Sequence, residues 1–118
     1  MPQHHAIDYI ELPVEDLAAA RDFYAGAFGW TFNEYGPSYA GIRNHAGDGE
    51  VGGLNALSSD AVRGAGPLVL LYSDDLDATH DAVVAAGGAI VEPPADFPGG
   101  RRFTFTDPAG NQLGVWAS

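Results

Sequence analysis

The feature that most constrains this chain is an internal repeat. Displaced by 59 residues, the stretch 10–32 falls on 69–91 without a gap: Leu12 meets Leu71, Asp16 meets Asp75, Leu17 meets Leu76, Ala19 meets Ala78, Asp22 meets Asp81, Ala27 meets Ala86 and Gly29 meets Gly88. The matches fall where elements would begin, pack and end. A period near half of 118 residues means two copies of one supersecondary unit and excludes a solenoid.

Each copy reads the same way. Ile7–Val14 has strand alternation, with Ile10, Leu12 and Val14 on one face and Tyr9 and Glu11 on the other. Its counterpart Leu68–Ser73 is apolar on both faces, as in a sheet covered on each side. Glu15-Asp16 and Asp74-Asp75 are placed to cap or charge a helix N-terminus. Leu17, Ala20, Phe23, Tyr24, Ala27 and Phe28 then recur at helical spacing, and Leu76, Thr79, Val83 and Ala86 do so more weakly. Gly29 and Gly87-Gly88 stand where a helix end needs positive φ. Short strands follow, over 30–35, 39–44 and 52–57 in the first copy and 89–92, 102–106 and 112–117 in the second. Pro98-Gly99-Gly100 and Asp107-Pro108-Ala109-Gly110-Asn111 carry turn chemistry. The expected fold class is α+β, βαβββ twice, as one domain over 1–118. Its modules span about 6–57 and 67–117, joined by a small, polar link at 58–66.

Composition narrows the partners. Sixteen acidic residues stand against five arginines and no lysine, a net charge of −11, so no cationic stripe is available for a nucleic-acid backbone. A hydrophobic share of 46% is too high for a disordered acidic chain. The absence of cysteine excludes disulfides, thiolate metal sites and a Cys nucleophile. Neither a signal peptide nor an apolar run long enough to span a bilayer is present, so the expectation is a cytoplasmic protein without membrane contact. His4 and His5 are expected to fray near the terminus, and His45 and His80 to face solvent.

Three motifs in order then carry a resemblance: Asp16-Leu17-x-x-Ala20-x-x-Phe23-Tyr24-x-x-x-Phe28-Gly29-Trp30, Asp74-Asp75-Leu76-Asp77-Ala78, and Asp107-Pro108-x-Gly110-Asn111. With the doubled βαβββ pattern, the chain resembles the vicinal oxygen chelate superfamily, which includes glyoxalase I, extradiol dioxygenases, fosfomycin-resistance enzymes and bleomycin-binding proteins. The resemblance implies two modules forming a half-open barrel with external helices and a ligand cup on the inner faces. It also implies a homodimer and, in chelating members, a divalent metal.

The chelating positions carry over residue by residue. The first-strand His position is Tyr9, and the 59-residue offset sends it to Leu68. The terminal Glu position falls at Gly114, and subtracting 59 gives Asn55. A phenol, an aliphatic chain, a bare glycine and an amide are not a set of strong ligands for Zn, Mn, Fe or Ni. The expectation is therefore the family's fold without its metal or any other cofactor. Strand parity lines the cup with Tyr9, Glu11, Leu68, Leu70, Tyr72, Gln112, Gly114 and Trp116, an apolar wall with a few polar groups. Arg102, beside Arg101, is a candidate anchor for an anion at the mouth. The same side chains also suit a filled core.

Two functions from different classes stay open at this point. One is metal-independent binding of a small aromatic or cationic compound, favoured by the negative field. The other is an enzyme, a glyoxalase-like lyase or isomerase or a dioxygenase, using a divalent metal through other ligands such as Glu11 or His45. A purely structural or interaction domain is the third reading.

Overall fold

The computed structural model describes residues 2–56 and 66–118. Leu57 and nearly all of the expected link at 58–66 therefore lie outside the described residues. The elements follow the repeat: β1 (Ile7–Pro13), α1 (Leu17–Phe28), β2 (Phe32–Glu34), β3 (Tyr39–Arg43), β4 (Glu50–Asn55), then β5 (Leu68–Tyr72), α2 (Leu76–Ala85), β6 (Ala89–Phe97), β7 (Gly100–Thr106) and β8 (Gln112–Ala117). The fold class is α+β, βαβββ twice. Backbone contacts divide the chain into two compact units, Tyr9–Leu68 and the N-terminal residues through Asp8 with Val69–Ser118.

In the Tyr9–Leu68 unit the strands run in the order β2-β3-β4-β1. β2–β3 and β3–β4 are antiparallel, and β4–β1 is parallel because α1 intervenes between them in the chain. One face of this sheet is covered by α1, where Leu17, Ala40, Ile42 and Leu54 are buried and Leu12, Val14, Ala20 and Tyr24 pack around them. Asp16 caps α1 by accepting from the Ala19 backbone N–H at 3.0 Å, and Gly29 closes it at φ 72°. The apolar stripe expected of α1 is broader than the sheet can cover. Helical spacing turns Leu17, Ala20 and Tyr24 inward and leaves Phe23 (61% exposed) and Phe28 (59%) outside, where they join Tyr24 and Trp30 in a cluster of rings.

The other unit repeats the plan with the order β5-β8-β7-β6, β5–β8 parallel and the remaining pairs antiparallel. Leu76, Phe103 and Val115 form its core, with Val83, Ile90, Phe105 and Ala117 against them. Asp75 caps α2 through the Ala78 N–H at 3.1 Å. The sixth strand is longer than expected and runs through Pro93-Pro94 to Phe97. It lies at the end of the strand order, where prolines remove no needed ladder donor, and register shifts flank Glu92.

The terminus does not fray as expected. The His5 N–H donates to the Tyr72 carbonyl at 2.7 Å, and the Tyr72 N–H donates to the Ala6 carbonyl at 3.1 Å. The His5 ring bonds Thr79 Oγ1 at 3.0 Å, and His4 Nδ1 accepts from the Asp74 N–H at 2.9 Å. His80 is also not a plain solvent residue, because its ring meets Phe103 edge-on at 5.4 Å. Among the described residues no helix is long and apolar enough to cross a membrane.

The caps give a direct test. Asp16→Ala and Asp75→Ala are each expected to lower the unfolding free energy by about 1 kcal/mol in urea titrations, with Asn at either position losing little of it. Alanine variants as stable as the parent would show that these carboxylates cap nothing.

Candidate functional site

Strand parity puts Tyr9 and Glu11 on the face of β1 turned away from Leu12 and therefore away from α1. The register extends that face across the sheet, with Glu11 paired to Gly53, Gly53 to Gly41 and Gly41 to Asn33. The two central positions of the row have no side chain. A Cβ at Gly41 would overlap the Glu50 carboxylate, and one at Gly53 would overlap the Tyr39 hydroxyl. Glycine is required here because polar groups from neighbouring positions lie over the backbone.

Glu50 reaches this face through a bulge. Ile42 pairs with Gly52 and Arg43 with Glu50, so Val51 is the extra residue. Were Val51 paired in regular alternation, Glu50 would point to the face opposite Gly53; with Val51 bulged out, the carboxylate is re-aimed over Gly41.

The outcome is a connected polar network. Tyr39 donates to Glu11 Oε2 at 2.9 Å, Asn55 Nδ2 donates to Glu11 Oε1 at 3.0 Å, and the Tyr9 and Tyr39 hydroxyls lie 2.9 Å apart. Tyr9 donates to Glu50 Oε1 at 3.2 Å, Asn33 Nδ2 donates to Glu50 Oε2 at 2.8 Å, and the Tyr35 hydroxyl donates to the same oxygen. Glu11 is only 3% exposed. Burial, together with the neighbouring carboxylates, pushes the Tyr9 and Tyr39 phenols well above the usual range, and the Tyr35 phenol is raised chiefly by its bond to Glu50. These hydroxyls are neutral donors and do not act as bases at physiological pH.

The remaining expected site residues sit on the helix-free face of the other sheet. Leu70 pairs with Gly114, Tyr72 and Arg102 with Trp116, and Gln112 with Thr106; Leu68 shares the parity of Leu70 and is buried. The Tyr72 and Trp116 rings meet edge to face at 4.9 Å, Phe97 approaches Trp116 at 6.3 Å, and the indole N–H donates to Asp8 at 2.9 Å. Gly114 does not open space for a ligand, because the Leu70 side chain lies where its Cβ would be. Arg101 is engaged by Asp77 and Asp96.

The network joins Tyr9 and Glu11, named from the sequence as cup residues, and Asn55, named only as a carried-over metal position, with Asn33, Tyr35, Tyr39 and Glu50, which the sequence reading did not single out. The Tyr39-x-Gly41 alternation and the Gly52-Gly53 pair were the available signals, while the bulge hid Glu50.

The family's divalent metal does not fit the side chains at the carried-over positions. The Tyr9 hydroxyl is committed to Tyr39 and Glu50, the Asn55 amide nitrogen donates to Glu11, Leu68 is aliphatic and Gly114 is bare. Register also replaces one of these positions. The step from Glu11 to its partner Gly53 is 53 − 11 = 42 residues and that from Leu70 to Gly114 is 114 − 70 = 44, so the counterpart of Gly114 is Gly53 and not Asn55. Among the described residues no group of three His, Asp or Glu converges as a metal site would require.

Two outcomes test this geometry. Gly53→Ala should cost about 1–3 kcal/mol in chemical denaturation because its methyl meets the Tyr39 hydroxyl, whereas Gly26→Ala, in the last turn of α1 with open space around it, should stabilise by up to about 0.5–1 kcal/mol. In an alkaline titration, Tyr9 and Tyr39 should withhold their phenolate absorbance until the protein unfolds. Because the native state keeps protons that the unfolded chain gives up above about pH 10, their contribution is complete below that pH and falls as pH rises further. Tyr9→Phe and Tyr39→Phe should flatten this alkaline loss.

Comparison with known proteins agrees with the architecture. The sequence model of the Glyoxalase/Bleomycin resistance protein/Dioxygenase superfamily matches residues 6–115. The chain is 33% identical over 115 residues to the glyoxylase-like protein CFP32 of Mycobacterium tuberculosis, covering 92% of this chain and 44% of that protein. It is 33% identical over 124 residues to the anthracycline biosynthesis protein DnrV of Streptomyces peucetius, covering 92% and 45%. The chain thus spans under half the length of these relatives. A solved structure of Streptomyces coelicolor methylmalonyl-CoA epimerase superposes with a TM-score of 0.71 at 18% identity, covering 98% of this chain and 99% of that one, a likeness of fold. With a family match across nearly its whole length and the doubled βαβββ fold, the chain belongs to the Glyoxalase/Bleomycin resistance protein/Dioxygenase superfamily.

Proposed function

We propose that this chain binds a small cationic compound, aromatic in part, on the helix-free face of the Tyr9–Leu68 unit, and does so without a metal. The observation that carries the proposal is Glu50. Its carboxylate accepts from two phenols and an amide, all neutral, and has no ion pair among the described residues. Such a group retains its attraction for a positive ligand, and the net charge of −11 favours the approach of one. Tyr9, Tyr35 and Tyr39 add ring surface beside the carboxylate, the setting in which a cation gains from both charge and π-face. The name of DnrV supplies a probe class, because an anthracycline joins a flat ring system to an amino sugar.

Thermal denaturation with a panel of cationic aromatics tests the proposal, the panel including an anthracycline amine and a bleomycin-type glycopeptide. A ligand at ten times its Kd contributes about 1.4 kcal/mol and should raise Tm by about 5–10 °C. Glu50→Gln should weaken that ligand at least tenfold while neutral analogues are unaffected. No shift with any panel member would end the proposal. The enzymatic alternative predicts about one equivalent of divalent metal in protein purified without chelator, with turnover of the methylglyoxal–glutathione adduct; elemental analysis separates the two.

A further inference from the structure

The hydrogen bonds of Glu50 also bear on which cation the site accepts. A carboxylate offers about four acceptor sites on its two oxygens, and they lie in its own plane. Among the described residues three donors reach Glu50. Asn33 Nδ2, at 2.8 Å, and the Tyr35 hydroxyl both serve Oε2, which fills that oxygen. Oε1 receives only the Tyr9 hydroxyl, at 3.2 Å, and that hydroxyl also lies 2.9 Å from Tyr39. One acceptor site on Oε1 is therefore not taken by any described residue. The carboxylate is fixed in orientation as well. Its carbon and both oxygens come equally close to the point a Gly41 Cβ would occupy, so the group lies flat against β3. Its lone pairs then point along the sheet surface, and an incoming donor meets Oε1 edge-on, where a hydrogen bond is best aligned. Glu50 is half-buried beside Tyr35, which is 57% exposed, so this end of the network borders solvent.

We propose that the charged group of the ligand is an ammonium that keeps at least one N–H, the protonated form of a primary, secondary or tertiary amine, and that the site discriminates against quaternary ammonium. This rests on the binding proposed above and adds the class of cation to it. A protonated amine donates to Oε1 in a charge-assisted bond and completes the acceptor set of the carboxylate. A quaternary nitrogen presents only carbon, so seating it against Glu50 strips water from Oε1 and leaves that acceptor without a donor. A site built to receive a hydrogen bond rejects an analogue without the donor more strongly than an analogue changed by one methylene. The rings of Tyr9, Tyr35 and Tyr39 would not make this distinction, because the attraction of a cation to an aromatic face needs charge and no N–H. Glu50 is thus a specificity-determining residue in addition to an anchor.

Calorimetric titration with two probe series tests the inference. One series is built on an anthracycline amine and the other on phenethylamine, and the nitrogen of each carries zero, one, two or three added methyl groups. The third methyl removes the last N–H, and the loss of affinity at that step should be at least tenfold greater than at either step before it. In Glu50→Gln the N–H-bearing members should weaken and the large third step should disappear. Asn33 and Tyr35 hold the amide oxygen at the Oε2 position there and turn the NH2 group, itself a donor, toward the open site. Circular dichroism checks that the variant folds, and the parent series decides alone if it does not. Equal steps at every methyl, or a quaternary member that binds as tightly as the tertiary one, would overturn the inference and leave cation binding at Glu50 standing. A third step that survives in folded Glu50→Gln would overturn it too, since the size of the added methyl is then the cause. Failure of both series to bind also overturns it, and the wider panel decides the binding proposal separately.

Discussion

A carboxyl group buried to 3% exposure on the helix-free sheet face is the constraint on which the rest of the Tyr9–Leu68 unit depends. Burying Glu11 without partners would cost several kcal/mol. The surrounding chain is arranged to supply them. Tyr39 and Asn55 donate directly, Tyr9 supports Tyr39, and Glu50 gathers Tyr9, Tyr35 and Asn33 behind them. Gly41 and Gly53 exist as glycines so that this layer can lie against the backbone. The side of the sheet that packs on α1 obeys ordinary apolar packing, with Ala40, Ile42 and Leu54 buried. One sheet thus carries a core on one face and a hydrogen-bonded polar layer on the other.

The two modules share a scaffold and differ on the helix-free faces. Both helices are capped by an aspartate at matching positions, both sheets pair their first and last strands in parallel, and both pack an apolar face on a helix. Opposite Glu11 stands Gly53, over which the Tyr39 hydroxyl lies; opposite Leu70 stands Gly114, whose space the leucine itself fills. The same glycine makes room for a polar layer in one module and for an aliphatic side chain in the other. The helix-free face carries hydrogen-bonded polar side chains in one module and apolar contact in the other.

How much of this was legible beforehand depended on whether the signal was local. Asp16, Asp75 and Gly29 announce helix ends through their own backbone chemistry, and alternation in Ile7–Pro13 separates Tyr9 and Glu11 from Leu12 without reference to any other strand. The 59-residue offset succeeded through the helices and failed at the last strand, where two additional residues between β5 and β8 moved the equivalence from Asn55 to Gly53. Phe23 and Phe28 fit the helical stripe but lie outside the area the sheet covers.

The amino-acid sequence alone determined the doubled α+β plan, the positions of the helices, the strand faces and the family, because periodicity, capping and turn chemistry act over a few residues and survive in any tertiary setting. Only the folded chain decided that Glu50 joins Glu11. That meeting requires an extra residue at Val51 to invert the alternation, two bare glycines to admit the side chains, and Tyr9 and Tyr39, 30 residues apart, to bring their hydroxyls within 2.9 Å. Cross-strand register creates these contacts, and register is a property of paired strands that no single segment encodes.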